Sequence, residues 1–398
     1  MERRLSAMDT KTIRSAIRIS NKLVELSSHL GHLSVTAGAL LSGENDGSVS
    51  TAGMLPILPY RKITTQNATF SPVYNDYIKP EVCTYQVPRG RNHDQIAEEL
   101  KRLQPITREL QRLVLNSSEE NRKNLHDMQN YMLVQEGLLV RHAYIGVNDT
   151  HLHIAFPGTG GYPDDYDNHA REWYAAARLQ ADRFHESKPV WGRPYLDTGK
   201  KQQVLTCSMP VLDQKQQFLG VVAFDLFFET FSDQLRNDGN GQGAEIVEKF
   251  LCTDTGVVLC YVPVHPMQGR ENRSIAELEG NLRQKLAFLL QNSRQEANGG
   301  YGHYRSQDFG HAVFYHYAYI PGLNLYLIEK SSEEELYKQV EVTGRLETKN
   351  HERSLPPEPE IEGPPPIPSE AREAAEPSPA PAEDGTDLPQ DIRDDNNE

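Results

Sequence analysis

An arginine set among aromatic side chains is the first feature of this sequence that could do chemistry. Tyr166 is followed closely by the run Arg171-Glu172-Trp173-Tyr174. On a helix that begins near Asn168, Arg171 and Tyr174 are three positions apart and share a face. A guanidinium makes two charge-assisted hydrogen bonds to a carboxylate, and aromatic walls that exclude water strengthen them. The cluster therefore predicts a receptor for a carboxylate group.

Acidic side chains follow at two points downstream. Asp197 ends the run Tyr195-Leu196-Asp197, and Asp225 stands alone in the apolar run Ala223 to Phe228. A buried carboxylate needs a partner, and an incoming ammonium group would be one. An arginine at one end and aspartates at the other suit a zwitterion, so the predicted ligand is a small amino-acid-like molecule.

Other candidate sites are weaker. Arg171 could instead form a structural ion pair with Asp165 or Asp197. His151 and His153 share a predicted strand face and could bind a metal, but without a third ligand nearby exposed or hydrogen-bonded histidines are favoured. A glycine-rich loop beside them lacks the Lys-Ser/Thr of a phosphate-binding loop. Since no nucleophile–base pair is evident either, we predict neither an enzyme nor a bound cofactor.

The four cysteines do not form a metal signature. No C-x-x-C occurs, so the usual zinc pattern is missing. Cys252 and Cys260 flank a predicted hairpin turn and could pair. Free buried thiols are favoured, because unpaired cysteine is among the most buried residue types.

The elements that must position the arginine cluster are predicted as an antiparallel sheet with helices packed on it, an α+β class. Asp167 is a plausible N-cap for the helix that carries the cluster. The strands are predicted from apolar and alternating runs bounded by turn residues. They are Leu138 to Val147, His151 to Phe156, Val204 to Val211 and Phe218 to Phe227.

A second, smaller module of similar element order follows a glycine-rich joint at residues 239–243. It is predicted to contain one helix, Ile275 to Gln291. Its predicted strands are Glu245 to Thr253, Val257 to Val262, His311 to Ile320 and Leu323 to Glu329. We therefore place the two modules at residues 138–238 and 244–335.

The first 137 residues are predicted to be mainly helical. Helices are expected over 9–42 and 93–137, the second broken near Pro105 and Asn116, with an irregular insertion at 43–90. The expected role of these helices is packing against the modules or against a partner protein. Apolar residues at three- and four-residue steps predict the first helix: Ile13, Ile17, Leu23, Leu26, Leu30 and Leu33.

Charge and composition set the remaining limits. The chain has 398 residues and a formal net charge of −15, so no nucleic-acid footprint is expected. Residues 351–398 hold 14 acidic residues, three arginines and 11 of the 25 prolines, which predicts a disordered acidic tail. The most apolar stretch, Phe218 to Phe231, is too short to span a membrane and contains Asp225. With no signal peptide either, a cytoplasmic location is expected if the chain is complete.

Three of these segments in order resemble a known family. The segments are Tyr166 with Arg171-Glu172-Trp173-Tyr174, then Pro194-Tyr195-Leu196-Asp197, then Gly220 to Asp225. Together they resemble the double Cache sensor family, and in particular its amino-acid-recognition motif. The resemblance covers roughly residues 9–335 and is strongest over 138–230.

The resemblance implies a role for each residue of the cluster. Arg171 and Trp173 would hold the ligand carboxylate, with Tyr174 lining that end. The ammonium group would lie against three residues, with Tyr195 closing the pocket: Tyr166, Asp197 and Asp225. The implied fold is a long helix followed by two PAS-like modules, membrane-distal and membrane-proximal, with ligand in the distal one.

Two functions follow from the resemblance. Such domains commonly lie outside the membrane on chemoreceptors and histidine kinases, which implies a sensor for a free amino acid or a related amine. They also occur in the alpha-two-delta subunits of calcium channels. An accessory protein with a vestigial pocket, contacting a partner through its N-terminal helices, is therefore the alternative.

Overall fold

A single helix of 41 residues, α1, begins at Glu2 and ends at Ser42. Its buried residues recur at alternating three- and four-residue steps, the period of a helix that buries one face. Gly43, with φ of +74°, follows the last turn in the left-handed conformation that ends many helices. The buried apolar residues of this stripe are Ala16, Ile19, Leu23, Leu26, Leu30, Leu33, Ala37 and Leu40.

The predicted helix is confirmed, and one of the apolar residues that predicted it lies off the buried face. Ile17 is 54% exposed, because the buried stripe passes through Ala16 and Ile19 on either side of it. The stripe is also polar where it crosses Thr12 and Ser15, which are both fully buried. Apolar spacing therefore predicts the helix without specifying every residue of its buried face.

The backbone of α1 comes closest to the rest of the protein at Gly38. A β-carbon at this position would lie 2.5 Å from the carbonyl oxygen of Leu212, well inside van der Waals contact. Glycine is thus required for the helix to approach the sheet this closely.

An eight-stranded sheet lies at the centre of the molecule. Its path is β1-β4-β6-β5-β11-β10-β8, with β9 also paired to β10, and every pairing except β1 with β4 is antiparallel. Its strands are β1 (Ile57–Pro59), β4 (Cys83–Gln86), β5 (Val140–Val147), β6 (His153–Phe156), β8 (Val190–Trp191), β9 (Tyr195–Leu196), β10 (Gln203–Leu212) and β11 (Phe218–Phe227).

Both faces of this sheet are covered, which explains why every residue of β5 is buried. One face packs against α1 and α3 (Ile106–Leu115) through residues such as Phe224. The opposite face packs against α6 (Glu172–Phe184) and presents Tyr144 and Ala223. Because side chains alternate along a strand, neighbouring residues of β10 and β11 face α1 and α6 in turn.

The region between α1 and β5 is more ordered than predicted. This region contains helices α2 (His93–Leu103), α3, α4 (Glu119–Arg122) and α5 (His126–Gln135), with breaks at the two predicted points and a further, unpredicted break between α4 and α5. The insertion at 43–90, predicted as irregular, contributes β1 and β4 to the main sheet, so that prediction is corrected. It also supplies β2 (Thr69–Ser71) and β3 (Asp76–Lys79), which pair with each other and with β7 (Gly158–Thr159).

A second antiparallel sheet, of five strands, has the order β13-β12-β16-β15-β14. Sequence patterns predicted four of its strands and missed β14, whose exposed polar residues lack an apolar run. The strands are β12 (Ile246–Thr253), β13 (Val258–Pro263), β14 (Tyr301–Asp308), β15 (His311–Ile320) and β16 (Leu325–Ser332). The predicted α+β class is confirmed by the long helix and the two antiparallel sheets.

The structure is a computed structural model. Three predicted segments lie outside the residues it describes: the joint at 239–243, the helix at 275–291 and the tail at 351–398. No described helix is long and apolar enough to cross a membrane. The four cysteines are free and buried, as predicted. The described residues are 2–43, 53–91, 93–196, 203–227, 232, 235, 246–253, 258–263, 300–308, 311–320, 323, 325–334, 336 and 337.

Candidate functional site

A small cavity of about 50 Å³ lies on the α6 face of the eight-stranded sheet. It contains five of the seven residues predicted for the ligand site: Tyr166, Arg171, Trp173, Tyr195 and Asp225. Its other lining residues are His142, Tyr144, His153, Thr159, Gly161, Tyr162 and Pro163. The sequence-predicted arginine and one of the two predicted aspartates thus share one cavity.

The arginine end of the cavity is built by the turn that leads into α6. Arg171 is the N-cap residue of this helix, with extended backbone, and is not inside the helix as predicted. Its guanidinium carbon lies 5.7 Å from the centre of the Tyr166 ring, within cation–π range. The Arg171 side chain and the Tyr166 ring are both half-buried and both line the cavity, so the positive charge lies beside an aromatic wall.

Asp225 defines the acidic end. It pairs with Thr206 on β10 and with His142 on β5, so it lies in the middle of the sheet. Its Oδ1 accepts hydrogen bonds from the Tyr144 hydroxyl at 2.8 Å and the Thr206 hydroxyl at 2.5 Å. The Tyr195 hydroxyl lies 3.2 Å from that of Thr206 and extends this polar patch.

The pKa of Tyr144 is raised well above its usual range. The main cause is burial of the side chain, and the second is the nearby charge of Asp225. Tyr144 is consequently a neutral hydrogen-bond donor at any physiological pH. The hydroxyl groups of Tyr144 and Thr206 that contact the carboxylate carry no positive charge.

His153 lies between the two ends and is 2% exposed. Burial, and secondarily the Arg171 charge, lower its pKa from 6.5 to about 3. Its imidazole is neutral at physiological pH and packs in an aromatic cage. The cage rings have centres 5.0 to 6.3 Å from that of His153: Tyr166, Tyr144, Tyr162 and Trp173.

Trp173 can reach the cavity because a glycine faces it on the sheet. A β-carbon on Gly146 would lie 2.4 Å from Nδ2 of Asn168 and 3.1 Å from the Trp173 ring. Asn168 opens a short 3-10 helix, Asn168–Ala170, and Asp167, predicted as the N-cap of α6, caps this shorter helix instead. Gly146 therefore lets the segment that carries Arg171 pack directly on the sheet.

One predicted site residue, Tyr174, is not among the described residues that line the cavity. Tyr174 is 1% exposed and stacks on His169, with ring centres 4.3 Å apart, on the side away from the cavity. His169 stacks in turn on His151, which bonds to Asp167 at 2.8 Å. Tyr174 thus supports the Arg171 turn from behind. Asp197 lies outside the described residues.

Sequence reasoning missed the contributions of Tyr144, His142 and Thr206, and it considered His153 only as a metal ligand. Each is a polar residue on a strand, and all four face the same side of the sheet as Asp225. Alternation along single strands could have suggested which face each one takes. These side chains lie together only because the strands pair in the order β6-β5-β11-β10. A pattern within a single strand does not show that order.

One family model matches this part of the chain. Residues 142–233 match the model described as "Methyl-accepting chemotaxis protein-like, first PDC sensor domain". The predicted sensor-domain resemblance is confirmed. We call residues 142–233 the sensor segment. Every residue that lines the cavity belongs to it.

Several solved structures are similar to the chain at low sequence identity. The ligand-binding domain of the Pseudomonas aeruginosa PAO1 amino acid chemoreceptor PctB, in complex with L-Arg, is 22% identical. That match covers 54% of this chain and 82% of that chain, with a TM-score of 0.35. The ligand-binding domain of the Pseudomonas fluorescens chemoreceptor CtaA with L-serine is 19% identical, covering 49% and 74%, with a TM-score of 0.33.

The extracellular domain of the putative histidine kinase mmHK1S-Z3 is 15% identical to the chain. This match covers 53% of this chain and 79% of that chain, with a TM-score of 0.36. No curated protein matches the chain.

Proposed function

We propose that the sensor segment binds a free amino acid or a closely related small amine and that the protein is a ligand-responsive sensor. The observation that carries this proposal is that Arg171 and Asp225 line one small, aromatic-walled cavity. The match to a chemoreceptor sensor-domain model supports the sensor role.

The two ends of the cavity suit the two charges of a zwitterion. Arg171 would bind the carboxylate through its planar fork, and Trp173 and Tyr166 would keep water away from that ion pair. Asp225 would accept the ammonium group. Tyr144 and Thr206 already orient its carboxylate, so little ordering is left to occur on binding.

A volume of about 50 Å³ holds only a few water molecules, each of which needs roughly 10–15 Å³ by the same measure. Its described lining offers one guanidinium and one carboxylate, the two partners of the charged head group shared by all α-amino acids. We infer that recognition of the ammonium and carboxylate groups takes place here, and that the described lining discriminates little between side chains.

Strands β10 and β11 connect the cavity to α1, so ligand binding would change the packing of this helix. Asp225 lines the cavity and accepts a hydrogen bond from Thr206, while their neighbours Cys207 and Phe224 face α1 across the same two strands. A ligand that favours one position of Asp225 would favour one packing of α1 on the opposite face. In this proposal binding shifts a population between two positions of the long helix.

Thermal unfolding with ligand pairs tests the proposal. L-alanine carries both charges, whereas ethylamine lacks the carboxylate and propionate lacks the ammonium group. An amino acid at about 100 times its dissociation constant should stabilise the fold by roughly 2.7 kcal/mol. The twenty amino acids are screened first, and the best ligand then replaces alanine in the comparison with its matched amine and acid.

Two single-residue variants test which charged group of the ligand each end of the cavity binds. Arg171→Ala should weaken binding of the amino acid but leave weak binding of the amine unchanged, and Asp225→Asn should weaken both. Arg178→Ala is the matched control, because this exposed arginine of α6 packs over Phe218 outside the cavity. If no amino acid or amine shifts the melting temperature of the wild type, the accessory-protein hypothesis replaces this one.

A further inference from the structure

Three potential metal ligands converge where the start of α1 meets the edge of the five-stranded sheet. Asp9 comes from α1, His303 from β14 and His316 from β15. Oδ1 of Asp9 lies 2.8 Å from Nδ1 of His316, and Oδ2 lies 2.8 Å from Nδ1 of His303. We propose that Asp9, His303 and His316 form a binding site for a divalent transition-metal ion of the zinc class.

The spacing of the three donor groups fits a single ion. One ligand atom from each residue can be chosen so that all lie within 4.8 Å of one another. Ligands about 2.1 Å from a common ion are about 3.0 Å apart at a right angle and about 3.4 Å apart in a tetrahedron. The two 2.8 Å separations, each to a different oxygen of Asp9, are close to this range, and side-chain rotations would be needed to bring all three groups onto one ion.

The chemistry of the donors selects the class of ion. Two imidazole nitrogens and one carboxylate oxygen suit zinc and neighbouring first-row metals, whereas calcium and magnesium prefer oxygen ligands alone. Three protein ligands leave at least one position for water. His303, whose side chain is 36% exposed, provides access from solvent.

The buried histidine is also oriented as a metal ligand would be. His316 is fully buried, and its second ring nitrogen, Nε2, lies 3.0 Å from the hydroxyl of Ser331 on β16. A hydrogen bond at this nitrogen fixes the ring and directs Nδ1 toward Asp9. Ser331 would thus be a positioning residue.

The alternative occupant is a proton. In the absence of metal, each Nδ1 can donate its hydrogen to Asp9, and these contacts lower the pKa of Asp9 against the opposing effect of burial. A metal ion must displace both Nδ1 hydrogens, so metal binding and these two hydrogen bonds exclude each other. Either a proton or a metal ion would link α1 to the sheet, but only the metal ion would be counted as one bound ion per chain.

Titration calorimetry with ZnCl2 on the full chain, without an affinity tag, tests the site. We expect one tightly bound ion per chain, which Asp9→Asn and His303→Gln abolish and Ser331→Ala weakens about tenfold or more. Co²⁺ should give the visible absorption of a nitrogen- and oxygen-ligated ion, and the same variants should remove it. His311→Gln is the matched control, an exposed histidine on β15 outside the cluster.

The site is overturned if the wild type binds no stoichiometric Zn²⁺, or if Asp9→Asn and His303→Gln bind it as well as the control. His303 is exposed, so its variant should fold even where a His316 variant does not. Because the metal alone is the probe, the result does not depend on whether the sensor segment binds an amino acid.

Discussion

Tyr144 and Asp225 are joined by a hydrogen bond that runs diagonally across two neighbouring strands. Asp225 is paired in register with His142, and Tyr144 is two residues further along β5, yet its hydroxyl reaches Oδ1 of Asp225 at 2.8 Å. Diagonal contacts of this kind are within reach of aromatic side chains. The carboxylate is therefore fixed by the sheet before any ligand arrives.

Replacing this tyrosine tests that preorganisation. Tyr144→Phe removes one donor to a half-buried carboxylate and should lower the free energy of unfolding by about 1.5–3 kcal/mol, the range for hydrogen bonds to charged groups. Denaturant unfolding with and without the best amino acid measures the effect. We expect bound ligand to narrow the difference, because its ammonium group replaces the missing donor, and an equal loss in both conditions would contradict this role.

Gly146 is predicted to control access of Trp173 to the cavity. In Gly146→Ala the new methyl group must displace Asn168 and the Trp173 ring, so we expect a loss of about 1–3 kcal/mol and much weaker ligand binding. Gly31→Ala is the matched control, because a β-carbon on this residue of α1 meets nothing within 4 Å. That variant should be about 0.5–1 kcal/mol more stable than the wild type. Thermal melts of both variants decide the matter.

His153 should make the protein less stable in mild acid. Its pKa is about 3 in the folded protein and 6.5 in the unfolded chain, so between these values only the unfolded chain takes up the proton. Stability is therefore full above pH 6.5 and declines as the pH falls toward 3, by up to about 1.4 kcal/mol per pH unit. The stability difference between the wild type and His153→Asn should shrink between pH 6.5 and 4.5. A difference that is constant over this range would mean that His153 is not buried as a neutral group.

A buried ion pair under α1 should show strong coupling. Lys249 and Glu329 lie 3.1 Å apart with side chains at most 2% exposed, and Thr12 of α1 donates to Glu329 at 2.7 Å. Lys249→Met leaves a buried carboxylate without this lysine and should cost about 3–5 kcal/mol. The double variant Lys249→Met with Glu329→Leu should cost much less than the sum of the single changes. Additive losses in a double-mutant cycle would rule out the coupling.

Much of the fold could be predicted from the sequence, because its signals are local. The three- and four-residue steps of α1 and the apolar run Phe218 to Phe227 each specify an element without reference to the rest of the chain. Arg171, Trp173 and Asp225 could be selected for the same reason, since an arginine among aromatics and a lone aspartate in an apolar strand are unusual within their own segments.

The parts that failed depend on contacts between distant segments. The short strand Cys83–Gln86 forms because β6 offers it a partner, and β14 is polar because it is an edge strand of its sheet. Tyr174 was assigned to the ligand site by the family resemblance, and helical spacing from Arg171 placed the two residues on one face. That spacing did not apply, because the helix begins after Arg171 and turns Tyr174 toward His169.

The close approach of α1 to Leu212 at Gly38 has a mechanical consequence. Because no side chain separates the two backbones, Gly38 is the point about which α1 would tilt. Asp9 lies 29 residues away along the same helix, a lever arm of about 44 Å at 1.5 Å per residue. A tilt of about 3° at Gly38 would move the Asp9 end of the helix by about 2 Å, comparable with the length of a bond to a metal ion. A small change in the angle of α1 would therefore make or break the contact between Asp9 and its two histidines.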